Sequence, residues 1–85
     1  MKIPLMKSTV EFIASYDEDY VIETIEVLEH ISQAKGLGDE ELDVIGELLS
    51  NFYGAIEVNK EIKKGTPQKE ALNAFMKRVL GSIDR

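Results

Sequence analysis

Cysteine and tryptophan are absent from this 85-residue chain, proline occurs twice and histidine once. Without cysteine, the chain can form no disulfide, no thiolate metal site and no cysteine nucleophile. The apolar stretch near the N-terminus is interrupted by Lys7, so it is too short for a signal peptide. Nor does any apolar run reach the length needed to cross a membrane. The sequence therefore predicts a cytoplasmic protein without disulfides.

The charge is negative overall and unevenly distributed. Ten basic and sixteen acidic side chains give a net charge of −6. Residues 1–59 carry three basic and thirteen acidic side chains, a net −10, whereas residues 60–85 carry seven basic and three acidic, a net +4. Nucleic-acid binding draws most of its affinity from neutralising phosphates, so the overall charge argues against it as a general function.

Glycine and proline divide the sequence into helical segments, and no segment alternates in the manner of a strand. We predict four helices, over about residues 4–15, 18–35, 40–64 and 67–81, with Asp17 and Asp39 as N-caps. The connections are short, which favours antiparallel, up-down packing of neighbouring helices. The predicted fold is a small all-α bundle, with residues 1–85 forming a single helical domain.

The apolar faces of the second and third helices are wider than one partner requires. The third helix has a heptad-spaced seam made of Leu42, Ile45, Leu49, Phe52 and Ile56. Its second apolar flank comprises Val44, Leu48, Ala55, Val58 and Ile62. The second helix has Val21, Ile25 and Leu28 on one flank and Tyr20, Val27, Ile31 and Ala34 on the other. The first and fourth helices have single stripes, made of Leu5, Thr9, Phe12, Ile13 and Tyr16 and of Leu72, Phe75, Met76, Val79, Leu80 and Ile83.

These wide faces predict a non-enzymatic interaction protein, most simply a homodimer held by the second flank of the third helix. Small domains have thin cores and commonly gain stability by association. Five exposed apolar side chains on one flank would form the kind of patch that marks an interaction site. The acidic front and basic rear of the chain could then set an antiparallel register between the two copies.

Three small residues recur at four-residue spacing in the third helix: Gly46, Ser50 and Gly54. Glycine inside a helix costs about 1 kcal/mol relative to alanine, so a compensating contact is expected. A row of small side chains lets another backbone approach closely. We therefore predict close helix packing at this row, rather than a ligand-binding cleft.

His30 and the acidic residues suggest two further hypotheses. His30 could bind a metal together with Glu23 and Glu26, although the expected reading is a solvated histidine beside its i,i+4 glutamate. No EF-hand pattern is present, and the acidic runs fit helix N-termini. No cofactor is predicted. An acidic module that binds or inhibits a basic protein would use the surface acids Asp17, Glu18, Asp19, Glu23 and Glu26.

The basic residues cluster at the corner between the third and fourth helices. They include the four candidates for anion contact: Lys60, Lys63, Lys64 and Lys69. A weak anion-binding or nucleic-acid-binding site is one hypothesis. Lysines near a helix C-terminus also complement the helix dipole, which explains the cluster without a ligand.

Overall fold

A computed structural model describes residues 2–83 as four helices, with side chains described through residue 79. The helices are α1 (Ile3–Ser15), α2 (Glu18–Ile31), α3 (Asp39–Lys63) and α4 (Gln68–Ile83). Within residues 2–83 there is no strand. The predicted small all-α bundle is thereby confirmed, whereas the antiparallel arrangement of neighbouring helices stays a prediction. No helix in the described range is long and apolar enough to cross a membrane.

The helix boundaries follow local capping chemistry. At the start of α2, the Asp17 carboxylate accepts a hydrogen bond from the Asp19 N–H at 3.0 Å, as an N-cap should. At the end of α3, Gly65 has a φ of +111°. The Thr66 N–H donates to the Glu61 carbonyl and the Gly65 N–H to the Ile62 carbonyl, the two bonds of a Schellman motif. These ends lie within one residue of the predicted ones.

Two boundary predictions were wrong. Helix α2 ends at Ile31, not at residue 35, because the Ser32 hydroxyl donates to the Glu29 carbonyl and the Gln33 N–H turns back to the His30 carbonyl. Asp39 is the first residue of α3 and not its N-cap. That place is taken by Gly38, whose N–H donates to the Glu41 carboxylate at 2.8 Å.

Helix α3 is the central element, and α1, α2 and α4 each pack against it. The buried apolar core comprises Met6, Val10, Ile13, Val21, Ile25, Ala55, Val58, Ala71, Leu72 and Met76. The Cα atoms extend 43 × 36 × 17 Å. Helices pack with their axes 8–10 Å apart, so a thickness of 17 Å accommodates two helical layers and no third. Each helix therefore has a side with no helix of this chain behind it.

The core side of α1 is rotated from the predicted one and keeps only part of the predicted stripe, Thr9 and Ile13. Met6 and Val10 are fully buried, whereas Phe12 and Tyr16 are 41% and 69% exposed. The prediction placed Phe12 and Tyr16 on the buried face. Both sides of α1 are apolar, and on the buried side the terminal methyl of Met6 lies against α3 at Gly54.

The two ends of α3 are buried to very different extents. No residue from 39 to 50 is buried, whereas the C-terminal part buries Asn51, Gly54, Ala55, Val58 and Asn59. Of the predicted seam, Leu49, Phe52 and Ile56 pack against the core and Leu42 stays 37% exposed. In α4, Leu72 and Met76 are buried as predicted. The predicted core side chains Leu80 and Ile83 lie outside the described side chains.

Asn51 links α1 to α3 through a polar contact inside the core. Its side chain is fully buried, and its amide oxygen accepts a hydrogen bond from the Lys2 N–H at 3.1 Å. Its amide nitrogen donates to the carbonyl and carboxylate of Glu47. A buried amide is stable only when such bonds are made. This network therefore fixes the start of α1 against the middle of α3.

Candidate protein interface

The apolar flank predicted as the homodimer interface does not form one surface. Ala55 and Val58 are fully buried in the core of the chain, and Ile62 packs partly against it. Val44 is 59% exposed and Leu48 is half-buried. The prediction that Ala55 and Val58 are available to a second chain is wrong, because side chains of α1 and α4 join them in the core cluster.

Of the three small residues predicted to allow close helix packing, only Gly54 does so. A Cβ added at Gly54 would lie 2.5 Å from the terminal methyl of Met6 and 3.1 Å from the Phe75 ring. At Gly46 it would meet nothing within 4 Å, and Ser50 is exposed. The expectation of close packing along the whole row is therefore corrected to Gly54, where α1 and α4 both approach α3.

Helix α2 has a second apolar face that the described residues of the chain do not cover. We call it the outer face of α2, and it consists of Tyr20, Thr24, Val27 and Ile31. Tyr20 and Val27 are 58% and 56% exposed, Ile31 is 40% exposed, and Thr24 is exposed as well. Successive residues are four, three and four positions apart, the spacing of a and d residues in a coiled coil. The adjoining face of α2, about 100° round the helix, places Val21 and Ile25 in the core.

A groove lies beside the N-terminal half of this outer face. It has a volume of about 330 Å³. Its walls come from all three neighbouring helices: Ser8, Thr9 and Phe12 of α1, Tyr20, Val21 and Thr24 of α2, and Phe52 of α3. The threonine hydroxyls donate to carbonyls of their own helices, Thr9 to Leu5 at 2.9 Å and Thr24 to Tyr20 at 2.7 Å. The groove therefore presents mainly aromatic and methyl surface.

Three aromatic rings cluster at the N-terminal end of the outer face of α2. The Phe12 ring lies 4.7 Å from the Tyr16 ring and 5.8 Å from the Tyr20 ring, centroid to centroid. The Tyr16 and Tyr20 rings are 6.5 Å apart in an edge-to-face arrangement. All three side chains are largely exposed. Exposed tyrosine and phenylalanine are enriched at protein interfaces, because they bring large apolar area with little rotamer entropy. Sequence reasoning placed Phe12 and Tyr16 in the core and so missed this cluster.

Comparison with known sequences gives the family of the chain. Residues 1–84 match the sequence profile of a family described as a family of unknown function, DUF6952. The chain belongs to this family. No curated protein and no solved structure matches it. The DUF6952 assignment covers nearly the whole chain, including the outer face of α2 and the groove, and it brings no activity with it.

The basic corner pairs its charges internally. Lys60 and Lys64 lie 3.3 Å and 3.4 Å from carboxylates one turn earlier in α3, and Lys63 lies 3.1 Å from Glu18 of α2. Lys69 is exposed on α4. The adjoining groove of about 600 Å³ between α3 and α4 is lined by carboxylates as well as by cations. An anion would have to compete with these carboxylates for three of the four predicted lysines.

His30 lies exposed in the last turn of α2. Among the described residues, no three histidine, aspartate or glutamate side chains lie close enough together to hold a metal ion. The predicted acidic surface is divided, because Glu18 is bonded to Asn59 and Lys63 and Asp17 caps its helix.

Glu29, near the C-terminus of α2, connects this helix to α3 through a hydrogen bond. The Tyr53 hydroxyl donates a hydrogen bond to the Glu29 carboxylate. The hydrogen bond to this carboxylate raises the pKa of Tyr53, because it favours the protonated phenol. Sequence reasoning did not find this pair, since the two residues are 24 positions apart and each is exposed.

Proposed function

We propose that this chain is a non-enzymatic interaction protein that forms a homodimer through the outer face of α2. The observation that supports the proposal is the a/d spacing of four exposed side chains, Tyr20, Thr24, Val27 and Ile31, on a helix whose adjoining face is already buried. A helix with one apolar stripe needs one partner. The apolar arc of α2 is wider than one partner covers, and the described residues cover only the side that holds Val21 and Ile25.

The chemistry of the adjacent groove favours contact over catalysis. Its lining is mainly aromatic and aliphatic, and both threonine hydroxyls are bonded to their own helix backbone. Burying apolar surface contributes about 25 cal/mol per Å², which association must offset against lost translational and rotational freedom. Aromatic anchors such as Tyr20 are the side chains that most often dominate such a balance.

The proposal replaces the interface residues predicted on α3 and keeps the predicted homodimer. Val44 and Leu48 remain accessible, but Ala55 and Val58 are part of the buried core. The cytoplasmic location expected from the sequence is retained as part of the proposal. So are the expectations that the protein needs no cofactor and that its partners are a second copy of itself or another protein.

Analytical ultracentrifugation tests the dimer over a range of protein concentrations. The wild type should sediment as a concentration-dependent dimer. Val27→Glu combined with Ile31→Glu should weaken dimerisation by at least about 2 kcal/mol, roughly 30-fold in Kd, since charges would be buried within the contact. The double variant should stay helical by circular dichroism.

Ile22→Glu is the matched control, because Ile22 is an aliphatic residue of the same helix, 37% exposed, and lies off the outer face. It should dimerise like the wild type. A wild type that is monomeric at every concentration would reject the proposal. If the protein instead binds a basic partner through its acids, that binding should fall steeply as salt is raised, whereas apolar self-association should not.

A further inference from the structure

We infer that the two copies pack with their α2 helices antiparallel, so that Glu23 of one copy lies beside His30 of the partner subunit. This inference rests on the proposed function and specifies its geometry. It follows from three features of α2 that differ between its two ends: bulk, the position of the groove, and charge.

The outer face is wide at its N-terminal end and narrow at its C-terminal end. At the N-terminal end the Tyr20 ring lies beside the rings of Phe12 and Tyr16, whereas the C-terminal end presents the smaller aliphatic side chains Val27 and Ile31. A parallel pair would press the two aromatic ends together and hold the aliphatic ends apart. An antiparallel pair sets large side chains against small ones at both ends, which is the arrangement that fills an interface evenly.

The groove could be filled by a side chain of the partner subunit. Only the antiparallel orientation places an aliphatic side chain at the groove. The groove lies at the level of Tyr20 and Thr24. In an antiparallel pair centred on the outer face, the residue that reaches this level is Ile31 of the partner subunit. In a parallel pair it is a second Tyr20, whose hydroxyl would have to lose its water against the Phe12 and Phe52 rings.

Charge favours the same orientation. The first turns of α2 carry Asp17, Glu18 and Asp19, and Glu23 borders the outer face one turn further on. Parallel pairing would place two such acidic ends side by side. It would also place the positive ends of the two helix dipoles side by side. Antiparallel pairing separates the acidic ends and brings Glu23 beside His30 of the partner subunit, which is the basic side chain in the last turn of α2.

Cysteine cross-linking tests the orientation without background, since the natural chain contains no cysteine. One chain carries Glu23→Cys and a second, distinguishable by mass, carries His30→Cys. A disulfide forms only when the two Cα atoms come within about 7 Å. Residues seven positions apart on a helix are separated by about 10 Å along its axis, so the two orientations give different products.

The expected result is a mixed disulfide between the two chains, formed several-fold faster than either self-disulfide. A Glu57→Cys chain, altered on the exposed side of α3, measures the rate of random collision. A dimeric wild type that forms no mixed disulfide above the collision rate would overturn the antiparallel inference. If the Val27→Glu, Ile31→Glu variant then still dimerised like the wild type, the α2 interface would be overturned as well. A monomeric wild type in ultracentrifugation would remove the proposed function itself.

Discussion

The second apolar flanks of α2 and α3 resemble each other in sequence and differ in the structure. On α3, Ala55 and Val58 are sealed in the core, whereas on α2, Val27 and Ile31 face solvent. Both flanks have helical periodicity and similar side chains. The difference arises because α1 and α4 pack on α3, whereas no helix in the described part of the chain covers the outer face of α2. An apolar stripe therefore shows that a helix needs a partner, and not which partner covers it.

The sharpest way to break this comparison uses one substitution at two valines. Val58→Asp should unfold the chain, because an unpaired buried carboxylate costs several kcal/mol and so small a core supplies only about 3–5 kcal/mol. Val27→Asp, in a 56% exposed position, should change the free energy of unfolding of dilute protein by less than about 0.5 kcal/mol. Urea denaturation followed by circular dichroism measures both. Equal losses at the two sites would mean that the flanks are covered alike.

A second pair of substitutions tests whether α3 is covered along its whole length or only in its C-terminal part. Gly46→Ala should raise the free energy of unfolding by about 0.5–1 kcal/mol, since alanine is the better helix former and nothing lies within 4 Å of the new methyl. At Gly54 the same methyl would press on Met6 and on the Phe75 ring.

Overpacking of this kind costs about 1–3 kcal/mol, so Gly54→Ala should lose roughly 1 kcal/mol after its own gain in helix propensity. Thermal and urea unfolding of the two variants side by side give the difference. Stabilisation of both variants to the same extent would contradict the close approach of α1 and α4 to α3 at Gly54.

The smallest expected effect concerns the hydrogen bond between Tyr53 of α3 and Glu29 near the C-terminus of α2. The pKa of Tyr53 should lie above its ordinary value of about 10, because the phenol donates to Glu29. A pKa raised in the folded state stabilises the fold fully below the ordinary value, and this contribution disappears as pH rises through the folded pKa. Ultraviolet titration of tyrosinate, with Tyr53→Phe subtracted to isolate this ring, measures it.

Glu29→Gln should move the Tyr53 titration back toward its ordinary value, since the acceptor is then uncharged. The stability of Glu29→Gln and of Tyr53→Phe should also depend less on pH above the ordinary pKa than that of the wild type. An unshifted Tyr53 titration in the wild type would show that the hydrogen bond is not kept in solution.

Much of the fold could be read from the chain because helix signals are local. The N-cap at Asp17, the left-handed stop at Gly65 and the restart at Thr66-Pro67 each act within one turn. The early end of α2 was missed because the hydroxyl of Ser32 competes with the helix, an effect that periodicity does not register. Of the candidate site, α2's second flank was visible in the sequence, but the prediction assigned the interface to α3.

The sequence by itself determined the all-α fold, the approximate helix limits and the presence of more apolar surface than one thin core requires. These depend on residues no more than four positions apart, through helix periodicity and capping bonds. Only the tertiary structure decided which part of this extra apolar surface is buried within the chain. Helix α1 is apolar on both sides, and its rotation places Met6 and Val10 inside and Phe12 and Tyr16 outside. In that rotation Met6 packs against Gly54, 48 positions away, a contact that no local pattern in the sequence reveals.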